Sequence, residues 1–359
     1  MTATSRSRSR RSLNPRSLVL PLVLALAGVA AAAPGAGRTP PGAVVTLVHP
    51  DEFYGDSRVG TYVSSTWGFS TTTYWIEGPK GLVLIDTQFL PSATAEMLAW
   101  VEQATGKKVV LAVVLHANPD KFNGTAVLKK RGIRVITSAQ VRALIPAVHD
   151  KRKKAFFERY QPDYPAEVTL PDSFGDKTTE LEAAGIKIKL HVLGAGCSEA
   201  HVALEWEKHL FVGDLVASSA HSWLEIGKTD EWLKRLEELQ ALQPDFVHPG
   251  RGPSGDERLL RQEAAYLKDV IAAVAAEKPR PPVTGSGDTL DAAAEQALAR
   301  IKQKLEARYL GYRFAVFLEL GLPAEWRRQA ALAAATPAAT TPAATPPAPA
   351  PVKAAAPRR

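Results

Sequence analysis

The sequence predicts an α/β protein in which layers of β-sheet are covered by helices. Two observations carry that expectation. Along the interior of the chain, short apolar segments rich in β-branched and aromatic residues alternate with longer segments of helical period. The 359 residues, 45% of them hydrophobic, also suffice to bury a large core. Strands and helices mixed in this way hide their apolar faces by stacking sheet against helix.

The expected strands are residues 44–48, 62–65, 71–76, 82–85, 109–115, 135–137, 186–192, 202–206, 210–212 and 246–247, most of them bounded by Gly, Pro or Asp. The expected helices are residues 92–103, 125–130, 139–148, 229–242 and 254–277. In the last of these, Ser254 and Glu257 have capping-box spacing, and Leu260, Ala264, Leu267, Ile271 and Val274 form one face. A Pro- and Gly-rich loop follows, then a helix with Leu290, Ala294, Ile301 and Leu305 on one side. Residues 35–277 are therefore expected to form the main domain and residues 278–330 a C-terminal helical segment. No internal repeat is visible.

The two ends read differently. Arginines before residue 17 precede an apolar run over 18–33 and a group of small residues, the pattern of an export signal over residues 1–34. Ser9-Arg10-Arg11-Ser12-Leu13 resembles a twin-arginine export motif. The run is short for a membrane span of roughly 20 residues, so no stable span is expected once the signal is removed. A periplasmic or extracellular location follows. Residues 331–359 are an Ala/Pro/Thr-rich stretch expected to be a disordered tail.

Charge narrows the partners. The chain carries +7 overall, but six arginines lie in residues 1–40 and three basic residues in 331–359, with no acid in either, which leaves 41–330 at −2. A nucleic-acid partner is not expected, because such a face needs clustered positive charge on the folded body. The basic run within 149–177, with Phe156, Phe157 and Tyr160, reads as a solvated helix with an aromatic underside. A single cysteine, Cys197, excludes an intrachain disulfide and a multi-cysteine zinc site.

The segment His116-Ala117-Asn118-Pro119-Asp120-Lys121 follows an apolar strand, and its alternating polar side chains point into one space. A helix beginning near Lys121 would set the Asp120 carboxylate by its positive end. The spacing resembles the H-x-H-x-D-H motif of the metallo-β-lactamase superfamily. Four further segments are similar to that family in the same order: Thr71 to Ile76 with Gly81 to Thr87, Gly194 to His201, Leu210 to Asp214, and Val247 to Pro253. Together they span roughly residues 43–275. The resemblance implies a four-layer αββα sandwich with C-terminal helices, and hydrolysis of an ester, thioester or amide-like bond in a small molecule. It also sets Trp67, Phe69, Tyr74 and Trp75 on a hairpin bordering the groove, where strand packing is their expected role.

The resemblance implies an altered metal centre. The family's first-site histidines map to His116, Asn118 and Cys197; the second-site ligands map to Asp120, Lys121 and Arg251, with Asp214 shared. Lysine and arginine offer a metal no lone pair. They are expected to neutralise Asp120 and Asp214 in place of a second metal. His116, Cys197 and Asp214 would hold at most one zinc, and a metal-free centre is the alternative. Asn118, His201, His221 and His248 are weaker candidate ligands. Asp120 is expected to orient or deprotonate water, and Lys121 or Arg251 to stabilise an oxyanion. The rival reading is a catalytically inactive binding protein that uses the same cleft. A Cys197 thiolate beside a cation would be nucleophilic, but a buried, inert thiol is preferred.

Overall fold

A computed structural model describes residues 50–51, 56–281 and 290–335. The expected strand at 44–48, the export signal and the chain beyond residue 335 lie outside the described residues. The first sheet contains β1 (Pro50–Asp51), β2 (Asp56–Val63), β3 (Thr72–Gly78), β4 (Gly81–Ile85), β5 (Val109–Val113), β6 (Arg134–Thr137) and β7 (Asp172–Ser173), side by side in sequence order. The second has the order β12 (Phe246–Arg251), β11 (His209–Ala217), β10 (His201–Trp206), β9 (Ile186–Leu193) and β8 (Thr179–Ala183). Pairing is antiparallel from β1 to β4 and from β8 to β11, and parallel from β4 to β7 and between β11 and β12.

Strand periodicity explains how the layers assemble. On β10, Val202, Leu204 and Trp206 join the core between the sheets, whereas Ala203 faces the other way. On β11, Phe211 faces the inter-sheet core while Leu210 and Val212 face outward onto helices. One outer layer consists of α1 (Pro91–Thr105), the single turn α2 (Pro119–Phe122), α3 (Thr125–Lys130) and α4 (Ala139–Tyr160). Met97, Leu98, Leu128, Val141 and Ile145 turn that layer's apolar side inward. The other consists of α5 (Thr229–Gln240) and α6 (Arg258–Ala276), onto which α7 (Ala292–Arg308) and α8 (Val316–Ala335) pack. The expected sandwich with additional C-terminal helices is the one observed.

Several expectations need correction. β11 and β12 run well past 210–212 and 246–247, because the apolar residues continue through Val216 and the parallel pairing continues to Arg251. β7 and β8 went unread, since β8 (Thr-Glu-Leu-Glu-Ala) is only partly buried and lacks an apolar run. α4 continues to Tyr160 despite Pro146, and α8 forms despite Pro323, running through Ala335 into the segment expected to be tail. The capping box also fails. α6 starts at Arg258 without a side-chain cap, and the Ser254 hydroxyl lies 2.9 Å from His248 Nδ1 instead.

Two buried side chains join α5 and α6 to the second sheet. Trp232 Nε1 donates to the Leu215 carbonyl at 3.0 Å, and its ring fills the space beneath α5. Glu263 accepts from the Ala217 N–H at 3.0 Å and from Ser222 Oγ at 2.6 Å. Burial pushes the Glu263 carboxyl up to about 7, which its two hydrogen bonds only partly offset. Truncation by Trp232→Ala should cost about 3–5 kcal/mol, read from the urea midpoint. The stability contributed by protonated Glu263 is fully present below the ordinary carboxyl range and is lost as pH rises through about 7. The thermal midpoint of Glu263→Gln should therefore fall less between pH 5 and pH 8 than that of the unaltered protein.

Candidate functional site

The site forms at the carboxyl ends of β4, β5, β11 and β12, where the chain leaves each strand with a polar residue. Asp86 follows β4 with φ at 69°, and its Oδ1 accepts from the Leu115 N–H at 2.9 Å, tying β4 to the chain leaving β5. His116 pairs across to His201 at the start of β10. Asn118 caps α2 in extended conformation, and its carbonyl accepts from the Lys121 N–H at 2.9 Å. Asp120 lies in the first turn of α2, which starts at Pro119, earlier than the helix start expected near Lys121.

Lys121 occupies the centre. Its side chain is fully buried, with Nζ 2.9 Å from Asp214 Oδ1, 3.1 Å from Asp120 Oδ2 and 3.9 Å from Asp86 Oδ2. Arg251 closes the same cluster from β12. Its Nη2 donates to Asp120 Oδ2 at 2.8 Å and lies 3.5 Å from Asp214 Oδ2, while Nη1 donates to the Phe69 carbonyl at 2.9 Å. Phe314 and Phe317 lie 5.6 and 5.5 Å from the guanidinium carbon and cover its outer side. The approach leaves no room for a side chain at position 250. A Cβ on Gly250 would lie 1.9 Å from Asp214 Oδ1.

The charges balance. Burial alone would raise the Asp120 and Asp214 carboxyls, but Lys121 and Arg251 outweigh it and hold both below the usual range, Asp214 far below. Burial would likewise discharge Lys121, yet Asp120, Asp214 and Asp86 keep its affinity for the proton above that of a free lysine. Asp86 is more distant from the cations, and burial pushes it up to about 7. Two carboxylates thus face two cations across a buried cluster.

Beside it lies a second group. Donor atoms of His116, Cys197 and His201 all lie within 4.8 Å of one another, and all three residues are buried. Nδ1 of His116 and Nδ1 of His201 have no hydrogen-bond partner, whereas His116 Nε2 faces the Asp214 carboxylate at 3.7 Å and His201 Nε2 accepts from the Ser198 N–H at 3.1 Å. Cys197 Sγ lies 3.8 Å from that same nitrogen. Burial, with Asp214 adding to it, pushes the thiol well up, so Cys197 is protonated at neutral pH when no metal is bound. Burial and His116 together push His201 well down, leaving its imidazole neutral. The neutral imidazole of His201 and the displaceable thiol proton of Cys197 suit a zinc ion.

The grouping differs from the sequence-derived set in one member. His201 converges with His116 and Cys197, while Asp214 is engaged by Lys121 and Arg251 and lies 3.7 Å from His116 Nε2. The other weaker candidates lie elsewhere. His221 Nδ1 is 3.0 Å from Tyr266 Oη, and His248 is hydrogen-bonded between His209 and Ser254. Asp86 and Thr71, which the sequence reading gave no role, belong to the charged cluster; Thr71 Oγ1 lies 3.3 Å from Arg251 Nη1. The sequence marked Asp86 only as the end of an apolar strand within the family-like segment Gly81 to Thr87, without a role in the site.

Residues 66–251 match the metallo-beta-lactamase superfamily. The "Metallo-beta-lactamase type 2" of Bacillus cereus is 26% identical over 200 residues, covering 53% of this chain and 70% of that protein. The 2,4-dinitroanisole O-demethylase subunit beta of Nocardioides sp. (strain JS1661) is 24% identical over 229 residues, covering 62% and 68% respectively. A solved metallo-beta-lactamase from Pontibacter korlensis has 22% identity and a TM-score of 0.48, covering 59% of this chain and 96% of its own.

The buried charges give the site a direct test. Replacing Lys121 by Met leaves Asp120 and Asp214 with Arg251 as the one cation between them, and should cost about 3–5 kcal/mol in urea unfolding. A loss under about 1 kcal/mol would mean that the ammonium does not hold the pair together.

Proposed function

The chain belongs to the metallo-β-lactamase superfamily, and on that premise we propose that it is an exported hydrolase that works with at most one metal ion. The reading rests above all on the place of Lys121. Its ammonium lies 2.9 and 3.1 Å from Asp214 and Asp120, in the position where the family motif supplies a second-site histidine. A second metal does not fit there, because a fixed cation already bridges the carboxylates. One metal does fit beside it. His116, Cys197 and His201 bring three buried donors together, with two unpartnered ring nitrogens, both Nδ1, among them.

Zinc bound by those three residues would supply a polarising centre and a water of lowered pKa. The remaining groups divide their roles by exposure. Lys121 is sealed in and acts as a positioning residue, fixing Asp120 and Asp214 as carboxylates. Asp120 is a poor base when so strongly paired, and orients water through its lone pairs. Arg251 is the less deeply buried cation, and is better placed to meet negative charge developing on a substrate oxygen. The substrate class is an ester, thioester or amide-like bond of a small molecule. Export rests on the reading of residues 1–34.

One observation favours a second reading, a non-catalytic binding protein. The carboxylates are already neutralised without a metal, and Phe314 and Phe317 cover Arg251. Metal content of the purified mature protein separates the two, together with ester, thioester and amide hydrolysis before and after chelation. The hydrolase reading expects up to one zinc per chain and a component of the activity that chelation removes and zinc restores. Metal-free protein that gains no activity on zinc addition would overturn the metallohydrolase reading. The double variant Lys121→His with Arg251→His should raise zinc uptake by one ion per chain; unchanged uptake would show that the two cations do not occupy a former metal position.

A further inference from the structure

A second cluster of chemically competent side chains lies at the opposite end of β11 from Asp214 and shares no residue with the metal centre. It is a chain of four groups. His209 Nε2 lies 3.3 Å from Asp56 Oδ2, His209 Nδ1 is 2.9 Å from His248 Nε2, and His248 Nδ1 is 2.9 Å from Ser254 Oγ. Both imidazoles are buried, and their planes meet at 12°. Stacking fixes them: Phe211 lies against His248 at 4.3 Å, and Phe246 against His209 at 4.6 Å. Ser254, at the far end, is only half-buried.

The carboxylate sets the direction of every hydrogen bond. Asp56 also accepts from Arg58 Nε at 2.9 Å and Nη2 at 2.6 Å, contacts that hold it ionised. An ionised Asp56 requires a proton on His209 Nε2. Burial pushes His209 below its ordinary range, so its ring is neutral and Nδ1 carries the lone pair. His248 must then donate from Nε2, which leaves its Nδ1 as the acceptor facing Ser254. The hydroxyl donates in turn to that nitrogen, the nearer acceptor at 2.9 Å, while Tyr74 Oη lies 3.5 Å from the same Oγ. Reversal would set a bare His209 nitrogen against the carboxylate.

We propose that Ser254 is a nucleophile activated by the His248–His209–Asp56 relay, and that it takes the acyl group of small activated esters. Ser254 Oγ would add to the ester carbonyl carbon as its proton passes to His248 Nδ1. The Nε2 proton of His248 shifts to His209 Nδ1, placing an imidazolium beside Asp56. Collapse of the adduct breaks the bond to the leaving alkoxide, which takes the proton back from His248 and departs as the alcohol, leaving O-acyl-Ser254. Water, deprotonated along the same path, adds to the acyl carbon and releases the carboxylic acid and the free hydroxyl.

The test is labelling of the full chain with an alkyl fluorophosphonate, in which Ser254 Oγ bonds to phosphorus as fluoride leaves, followed by peptide mass mapping with and without chelator. The expected result is an adduct on Ser254, formed at the same rate with chelator and absent in Ser254→Ala. His248→Gln should slow it on the order of 10²-fold, the usual worth of a general base. His248 is buried, so Asp56→Asn, at the partly exposed end, provides the second variant; it should slow labelling by about tenfold or more. Folded protein that gives no adduct at Ser254 overturns the proposal. So does labelling of Asp56→Asn at the unaltered rate, whether or not His248→Gln folds. Chelator insensitivity keeps this outcome separate from that of the zinc experiment.

Discussion

A lysine ammonium held between two buried carboxylates sets the terms for the rest of the site. Asp120 comes from α2, just after the first sheet's β5, and Asp214 from β11 of the second sheet, and two negative charges this deep in the fold would repel each other or take up protons. Lys121 attracts both, and Arg251 adds a second cation from β12. The attraction joins the ends of β5, β11 and β12 without an ion from solution. Its geometry leaves little freedom around it, with Gly250 lying against the Asp214 carboxylate and the Phe314 and Phe317 rings over Arg251.

Much of this was legible in the sequence. The order of five motifs implied the sandwich, and the residue types at 121 and 251 showed that a cation had taken the place of a ligand. What could not be read was distance. His201 and Asp214 were both available to complete a set with His116 and Cys197, and only the register of β10 beside His116 brings His201 inward. Asp86 stood in a family-like segment, but one acid after an apolar strand is common and carried no role on its own. Phe314 and Phe317 were invisible as neighbours of Arg251, since more than sixty residues of chain separate them from it.

Ser254 shows how a correct pattern can mislead. Its spacing to Glu257 is that of a helix cap, and a hydroxyl there would ordinarily meet a backbone N–H. Here a buried imidazole competes for the same hydroxyl. The helix starts later and the serine faces His248. Local propensity lost to a tertiary contact made from β12, which sequence spacing alone could not reveal. The same contact gives one loop two separate roles, with Arg251 turned toward the carboxylates and Ser254 toward the histidines.

The paired cations also constrain ancestry. If the centre descends from one that held two metals, Lys121 and Arg251 each arose in a site already balanced for charge. Reversion of either residue alone would strand a buried carboxylate, since no single histidine supplies both the lost positive charge and a complete ligand set. A route back must change both positions within a narrow window or pass through a poorly folded intermediate. The cluster is thus a single unit: either cation lost alone leaves buried negative charge, whatever chemistry the cleft performs.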